Sequence, residues 1–293
     1  NWLCEKGLNG EKIGGSITDG YTTYVLEGTG NGNLAKTYYN INEITLAEGD
    51  KCISGNKETG QWKDKCNDLR VTNGSSCEVS HGQGCKRSEF SNHSSCISGE
   101  GNMKGCIESS FTGESSCSAF YNSSCQQDVF DNSTCEGIGS GACSKSTFSN
   151  KSICYAKGTG GNSGSRNCGT DSTYDNSTCY NQSTSMYGCG KATYNNGSEC
   201  YSNENGGCGG GSAFNSGSKC YGNASGACGG DTYTEGSVCN ANVPGSCNNN
   251  TYESGSYCAG NHCPSGTPAG DEDGAFAGHC WNGSGEHAAQ YCP

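Results

Sequence analysis

Cysteine is the residue type whose number and spacing carry the most chemistry in this chain: 25 of its 293 residues are Cys. A thiol can form a disulfide, ligate a soft metal or act as a nucleophile. Metal and redox motifs rely on short pairs, and no C-x-x-C occurs anywhere. Zinc-ribbon, iron–sulfur and thioredoxin-like spacings are therefore missing, and without C-x-x-C-H a multi-haem wire is disfavoured. Instead the cysteines recur in a long alternation. Cys52 and Cys66 bracket a polar loop around Trp62 and read as a local bridge. Beyond them a first Cys falls at Cys77, Cys96, Cys117, Cys135, Cys154, Cys179, Cys200, Cys220, Cys239 and Cys258. A second Cys follows each at Cys85, Cys106, Cys125, Cys143, Cys168, Cys189, Cys208, Cys228, Cys247 and Cys263. With Cys280 and Cys292 these are the candidate structural disulfide residues. Spacing leaves open whether bridges close within one unit or join adjacent units.

Other chemistry is sparse. Asp271, Glu272 and Asp273 precede a Gly, but the spacing is not that of an EF-hand and reads as a solvated acidic turn rather than a calcium loop. His81, His93, His262, His279 and His287 are dispersed. The last three lie near Cys263 and Cys280, where terminal disulfides are favoured over a zinc site. No Ser–His–Asp grouping has a local signature, and no carboxylate pair can be nominated as a glycosidase acid and base. The chain is expected not to be an enzyme and to need no cofactor. Tyr180, Tyr201 and Tyr221 each follow a Cys directly, at one repeat position. They form a candidate outward ladder for a sugar or a neighbouring subunit, with plain stacking between units as the simpler reading.

What positions these residues is a repeat. Phe90–Cys96 reads FSNHSSC, Phe148–Cys154 FSNKSIC, Tyr194–Cys200 YNNGSEC and Tyr252–Cys258 YESGSYC. Nine such copies place an aromatic five or six residues before a Cys and a Ser two residues before it. Aromatics recur at 18 to 21 residues, with one gap of 26 between Phe148 and Tyr174. A fixed period of this size marks stacked supersecondary units. In an extended Ser-x-Cys both side chains point the same way. The expected fold is all-β: a small antiparallel N-terminal sheet, then a disulfide-stapled β-solenoid of about 19 residues per repeat with Cys and the aromatic inward. Eleven N-x-S/T sequons occur, among them Asn92, Asn132, Asn150, Asn176 and Asn223. Several sit in register just before the first Cys, which favours turn chemistry over glycan attachment.

Leu, Ile, Val and Phe make up only about a tenth of the chain, and none of the residues after Cys154 is Leu or Ile. Such a composition ordinarily means disorder. Here only 16% of residues are charged, and the dense Cys points instead to a covalent scaffold in an oxidising compartment. The net charge of −12, without a basic stripe, disfavours nucleic acid. Tyr21–Leu26 and Tyr38–Leu46 read as strands joined by the GTGNG loop. The expected organisation is an antiparallel β head over residues 1–70, a Cys-rich solenoid over 71–263 and a C-terminal cap over 264–293. The absence of a signal peptide or transmembrane run in a disulfide-rich chain leads to the expectation of a processed or truncated product, and the odd Cys count to that of a thiol that is free, paired with another chain or partnered beyond the given stretch.

The segments STFSNKSICYA (Ser146–Ala156), SGAC (Ser140–Cys143 and Ser225–Cys228) and CPSGTP (Cys263–Pro268) resemble the Cys-rich C-terminal repeats of type IV pilin-like (pseudopilin-like) bacterial surface proteins. GDKC (Gly49–Cys52) with the loop to Cys66 is similar to the disulfide region of such pilin heads. The resemblance implies a pilin head sheet at Tyr21–Leu46, although no apolar helix of the pilin type follows Asn1. NSTCEG (Asn132–Gly137) is loosely similar to the repeats of trimeric autotransporter β-roll heads, which have a shorter period and lack dense Cys. An ice-binding solenoid ranks third, since the regular T-x-T face is not evident. The expected function is an extracellular, cell-surface structural protein, the exposed region of a pilin-like filament or fibre subunit, self-associating through its own kind. The alternative is an adhesin that binds a glycan or partner surface through the solenoid face.

Overall fold

A computed structural model of the chain describes residues 15–18, 23–28, 34–56, 58–60, 62–99, 104–120, 123–157, 167–182, 188–260, 262–270, 276–281 and 287–288. It is an all-β solenoid. Each repeat contributes a two- or three-residue strand carrying the aromatic and a three- or four-residue strand carrying the first Cys, such as Thr193–Asn195 and Glu199–Ser202. Copies of each strand stack in parallel and in register. Cys179 pairs with Cys154 on one side and Cys200 on the other, while Tyr194 lies between Tyr174 and Phe214. The aromatic strands form an eleven-stranded sheet from Thr45–Leu46 to Thr251–Tyr252. A short third sheet of Lys63–Lys65, Gly82–Gly84 and Lys104–Gly105 flanks the N-terminal coils.

Side chains alternate along the Cys strands up to Lys219–Gly222, while in the last two Val238, Tyr257 and Ala259 are buried as a second small cluster. In Ile153–Ala156 and its equivalents the Cys and the small residue two places on are buried, and the residues between them are partly exposed. The inward aromatics stack face to face: Phe90, Phe111, Phe130, Phe148, Tyr174, Tyr194, Phe214 and Tyr233 follow one another at ring-centroid distances of 4.6–4.8 Å. That is the spacing of neighbouring strands, so the sheet itself sets the stack. The buried serine of Ser-x-Cys completes the interior. Ser198 Oγ, for example, donates to the Asn195 carbonyl at 2.6 Å and accepts the Ser177 amide of the preceding coil at 3.1 Å. Hydroxyls thus satisfy the buried turn backbone where an oily core would leave it unpaired.

Every disulfide among the described residues closes within its own coil. The eleven pairs run from Cys52–Cys66 to Cys258–Cys263, with Cα–Cα distances of 5.8–6.2 Å. The two possibilities left by the sequence are thereby separated. Neighbouring coils are joined by backbone hydrogen bonds and stacking, and the sulfur bridges hold each coil shut.

A separate antiparallel head sheet is not what the described residues show. Gly15–Thr18, Thr23–Gly28 and Leu34–Tyr39 pair antiparallel with one another, but Leu34–Tyr39 then joins Lys51–Ser54 in parallel and extends the solenoid's own sheet. The reason is register: Tyr38 falls in the Cys column beside Cys52, and it packs partly buried against the core. The stacked pattern also begins before residue 71. Leu46 and Cys52 lie in register with Val71 and Cys77 and are fully buried. At the other end Pro268–Gly270 adds in parallel to Tyr257–Ala259 and is followed antiparallel by Phe276–Trp281 and His287–Ala288.

Candidate functional site

Among the described residues the most distinctive outward feature is a tyrosine ladder on the Cys-strand sheet. The residue after each first Cys points away from the core, and in four consecutive coils it is Tyr155, Tyr180, Tyr201 and Tyr221, paired in direct register. Their rings stack at 5.4, 5.0 and 4.5 Å with interplanar angles of 14°, 13° and 4°. The ladder expected from Tyr180, Tyr201 and Tyr221 therefore exists, and Tyr155, which also follows a Cys, extends it. Lys157 Nζ lies 5.4 Å from the Tyr155 ring centroid and pairs with Glu136 at 2.9 Å.

Glu199 sits beside the ladder in the next outward row. Its Oε2 accepts the Tyr201 hydroxyl at 2.7 Å, and its Oε1 lies 3.5 Å from the Tyr221 hydroxyl. Partial burial, and then the neighbouring carboxylate, push the Tyr201 phenol above its ordinary range. Burial followed by the charge of Glu199 acts the same way on Tyr221. Sequence reasoning missed Glu199, which stands two residues before Tyr201 on the same strand and reaches Tyr221 only across to the next coil. The geometry limits what the ladder can bind. Inner rings cover one another's faces, so a sugar cannot stack flat on Tyr180 or Tyr201 as on an open aromatic platform. Ring edges and hydroxyls are what the ladder offers.

The remaining candidates do not assemble into a second site. Sulfurs of neighbouring coils approach within 4.8 Å, as in Cys96, Cys106 and Cys117, yet each is committed to its own disulfide. Cys263 is bridged to Cys258 and so is not a zinc ligand beside the exposed His262. His279 and His287 lie in paired terminal strands, and exposed His93 faces Glu114 at 3.3 Å. Cys280 lies in register with Pro268; Cys292, Asp271, Glu272 and Asp273 fall outside the described residues. Two buried acids emerge that sequence reasoning did not single out. Asp128 and Asp231 replace the inward Ser two places before the aromatic, and burial raises both carboxyl groups well above the ordinary carboxylate range. Solvent does not reach them, which suits neither for substrate chemistry.

The in-register sequons perform turn chemistry. Asn92, Asn132, Asn150 and Asn176 all adopt left-handed φ, between 47° and 52°, a conformation Asn tolerates better than most residues. The Asn150 side-chain amide also donates to Asp131 of the preceding coil at 2.7 Å, and that of Asn223 to Asn203 at 2.8 Å.

Comparison with known protein families, curated proteins and solved structures finds no match.

Proposed function

We propose that the chain is an extracellular structural protein, the exposed region of a pilin-like filament or fibre subunit that self-associates, and that it is not an enzyme. The observation that carries this reading is the recurrence of one within-coil disulfide from Cys52–Cys66 to Cys258–Cys263. Bridges at this density are a feature of proteins in oxidising, extracellular surroundings. They hold each coil of the stack shut, a property useful to a projecting structural element. No helix among the described residues is long and apolar enough to cross a membrane.

A second reading, an adhesin, is favoured by the outward aromatic column from Tyr155 to Tyr221. One experiment separates the two. Oxidised, purified chain is imaged by electron microscopy over a concentration series and applied in parallel to a glycan array. Concentration-dependent fibres without glycan binding support the filament. Particles that stay monomeric at every concentration, together with glycan binding abolished by Tyr180/Tyr201/Tyr221→Ser, overturn it in favour of the adhesin.

A further inference from the structure

The outer ladder has a chemical asymmetry that stacking alone does not require. At neutral pH a phenol is protonated, its ordinary pKa being about 10. Removing one electron makes the hydroxyl strongly acidic, so the proton must leave with the electron. An acceptor at hydrogen-bond distance decides which tyrosine can do this. In the ladder that acceptor is Glu199, 2.7 Å from the Tyr201 hydroxyl and 3.5 Å from that of Tyr221. These two rings are also the closest pair in the column, at 4.5 Å. At the opposite end Glu136, in register beside Tyr155, is paired with the Lys157 ammonium at 2.9 Å, which leaves that carboxylate engaged away from the Tyr155 hydroxyl. The inner tyrosines lack a comparable acceptor: Tyr174, Tyr194 and Tyr233 are fully buried and donate to the backbone carbonyls of Cys168, Cys189 and Cys228.

We propose that Tyr201, with Glu199 as its proton acceptor, is a tyrosine modification site: the place where a small one-electron oxidant, such as a metal–diimine(III) complex, oxidises this chain. One electron passes from the Tyr201 ring to the oxidant, which is reduced by one, and the phenolic proton moves to the Glu199 carboxylate. The product is a neutral tyrosyl radical stacked between Tyr180 and Tyr221. Two such radicals on separate copies couple through ring carbons ortho to oxygen, and each ring then shifts its displaced hydrogen to oxygen. The net change is a dityrosine that lacks two hydrogen atoms, with two equivalents of oxidant reduced.

The test uses the full oxidised chain and photogenerated tris(bipyridine)ruthenium(III), with chloropentaamminecobalt(III) as the terminal electron acceptor. Peptide mass spectrometry locates the coupled tyrosines, and oxidation rates are compared in light and heavy water. The expected result is coupling concentrated at Tyr201 and Tyr221 with a solvent isotope effect. In Glu199→Gln the rate at these residues falls about 100-fold, the low end of what a positioned proton acceptor contributes, and Tyr201→Phe removes the dominant product. Both variants keep side-chain volume. The wild-type product map and isotope effect decide the matter even where a variant folds poorly. Coupling spread according to exposure, oxidation confined to exposed Trp62, or a Glu199→Gln rate equal to wild type would each overturn the assignment.

Discussion

Asp231 stands where Ser212 stands one coil earlier, and its Oδ1 accepts the Ser212 amide at 2.8 Å and the Gly211 amide at 3.1 Å. Its other oxygen is buried with no hydrogen-bond partner among the described residues. Desolvation therefore dominates over the two amide bonds and pushes the carboxyl up to about 8. The direction of the consequence follows from linkage. Below about pH 4 the group is protonated in both folded and unfolded chains and contributes nothing pH-dependent. Between there and about pH 8 the unfolded chain sheds the proton while the folded chain keeps it. Stability falls as pH rises through that window and levels off above it.

Asp231→Asn should remove this loss, since Asn250 fills the same column one coil on and accepts the Asp231 amide at 2.9 Å. The variant is expected to melt close to wild type near pH 3.5 and clearly above it at pH 9, the difference amounting to several kcal/mol. Thermal melts across pH measure it. Equal melting temperatures at pH 9 would mean that water or a local opening relieves the buried charge.

The aromatic stack separates packing from hydrogen bonding. Tyr194 donates its hydroxyl to the Cys189 carbonyl at 2.7 Å, while its neighbour Phe214 has no hydroxyl to donate. Tyr194→Phe should cost about 1–3 kcal/mol, because it leaves the buried Cys189 carbonyl without its donor, whereas in the Phe214 coil Ser212 Oγ donates to the equivalent Cys208 carbonyl at 2.8 Å. Phe130→Ala removes a ring stacked at 4.8 Å on both sides and should cost about 3–5 kcal/mol. Denaturant melts of the two variants give the ratio directly.

The disulfides hold coils individually, so their loss should be local. Removing the Cys200–Cys208 bridge, which spans 8 residues, by Cys200→Ala/Cys208→Ala should cost about 2–3 kcal/mol. The Cys208 amide still donates to the Ala227 carbonyl of the next coil at 2.9 Å. Hydrogen exchange should therefore rise in this coil and its immediate neighbours and stay unchanged near Cys77–Cys85. Uniform deprotection along the chain would show that the solenoid opens as one unit.

The repeat was readable because the same side chains recur at the same offsets: Cys over Cys and aromatic over aromatic follow once strands stack in register. The first coils escaped that reading because Leu46 and Val71 fill the aromatic column with aliphatic side chains. The buried acids had a signal that went unused, since Asp128 and Asp231 precede their aromatics by two residues where most copies carry Ser. Glu199 had a weaker one: it stands two residues before Tyr201, an offset at which side chains of one strand share a face, but nothing in a single copy marks its second contact with Tyr221 of the next coil.

Glycines after the second Cys test how closely coils approach. A Cβ on Gly190 would overlap the Gly209 carbonyl of the next coil, and one on Gly209 would run into the Gly229 carbonyl. Backbone cannot yield there without parting the coils. Gly197 differs: its φ of +74° is left-handed, but a Cβ would meet nothing within 4 Å. Gly197→Ala should therefore cost about 1–2 kcal/mol, the left-handed penalty alone. Gly190→Ala should reach about 3 kcal/mol, the upper end for overpacking, and should speed exchange of the Cys189 amide, which donates to the Gly207 carbonyl at 2.7 Å. Thermal melts with amide exchange on both variants check the order. If Gly190→Ala proved the milder change, the close contact between these coils would have to be looser than the stacking requires.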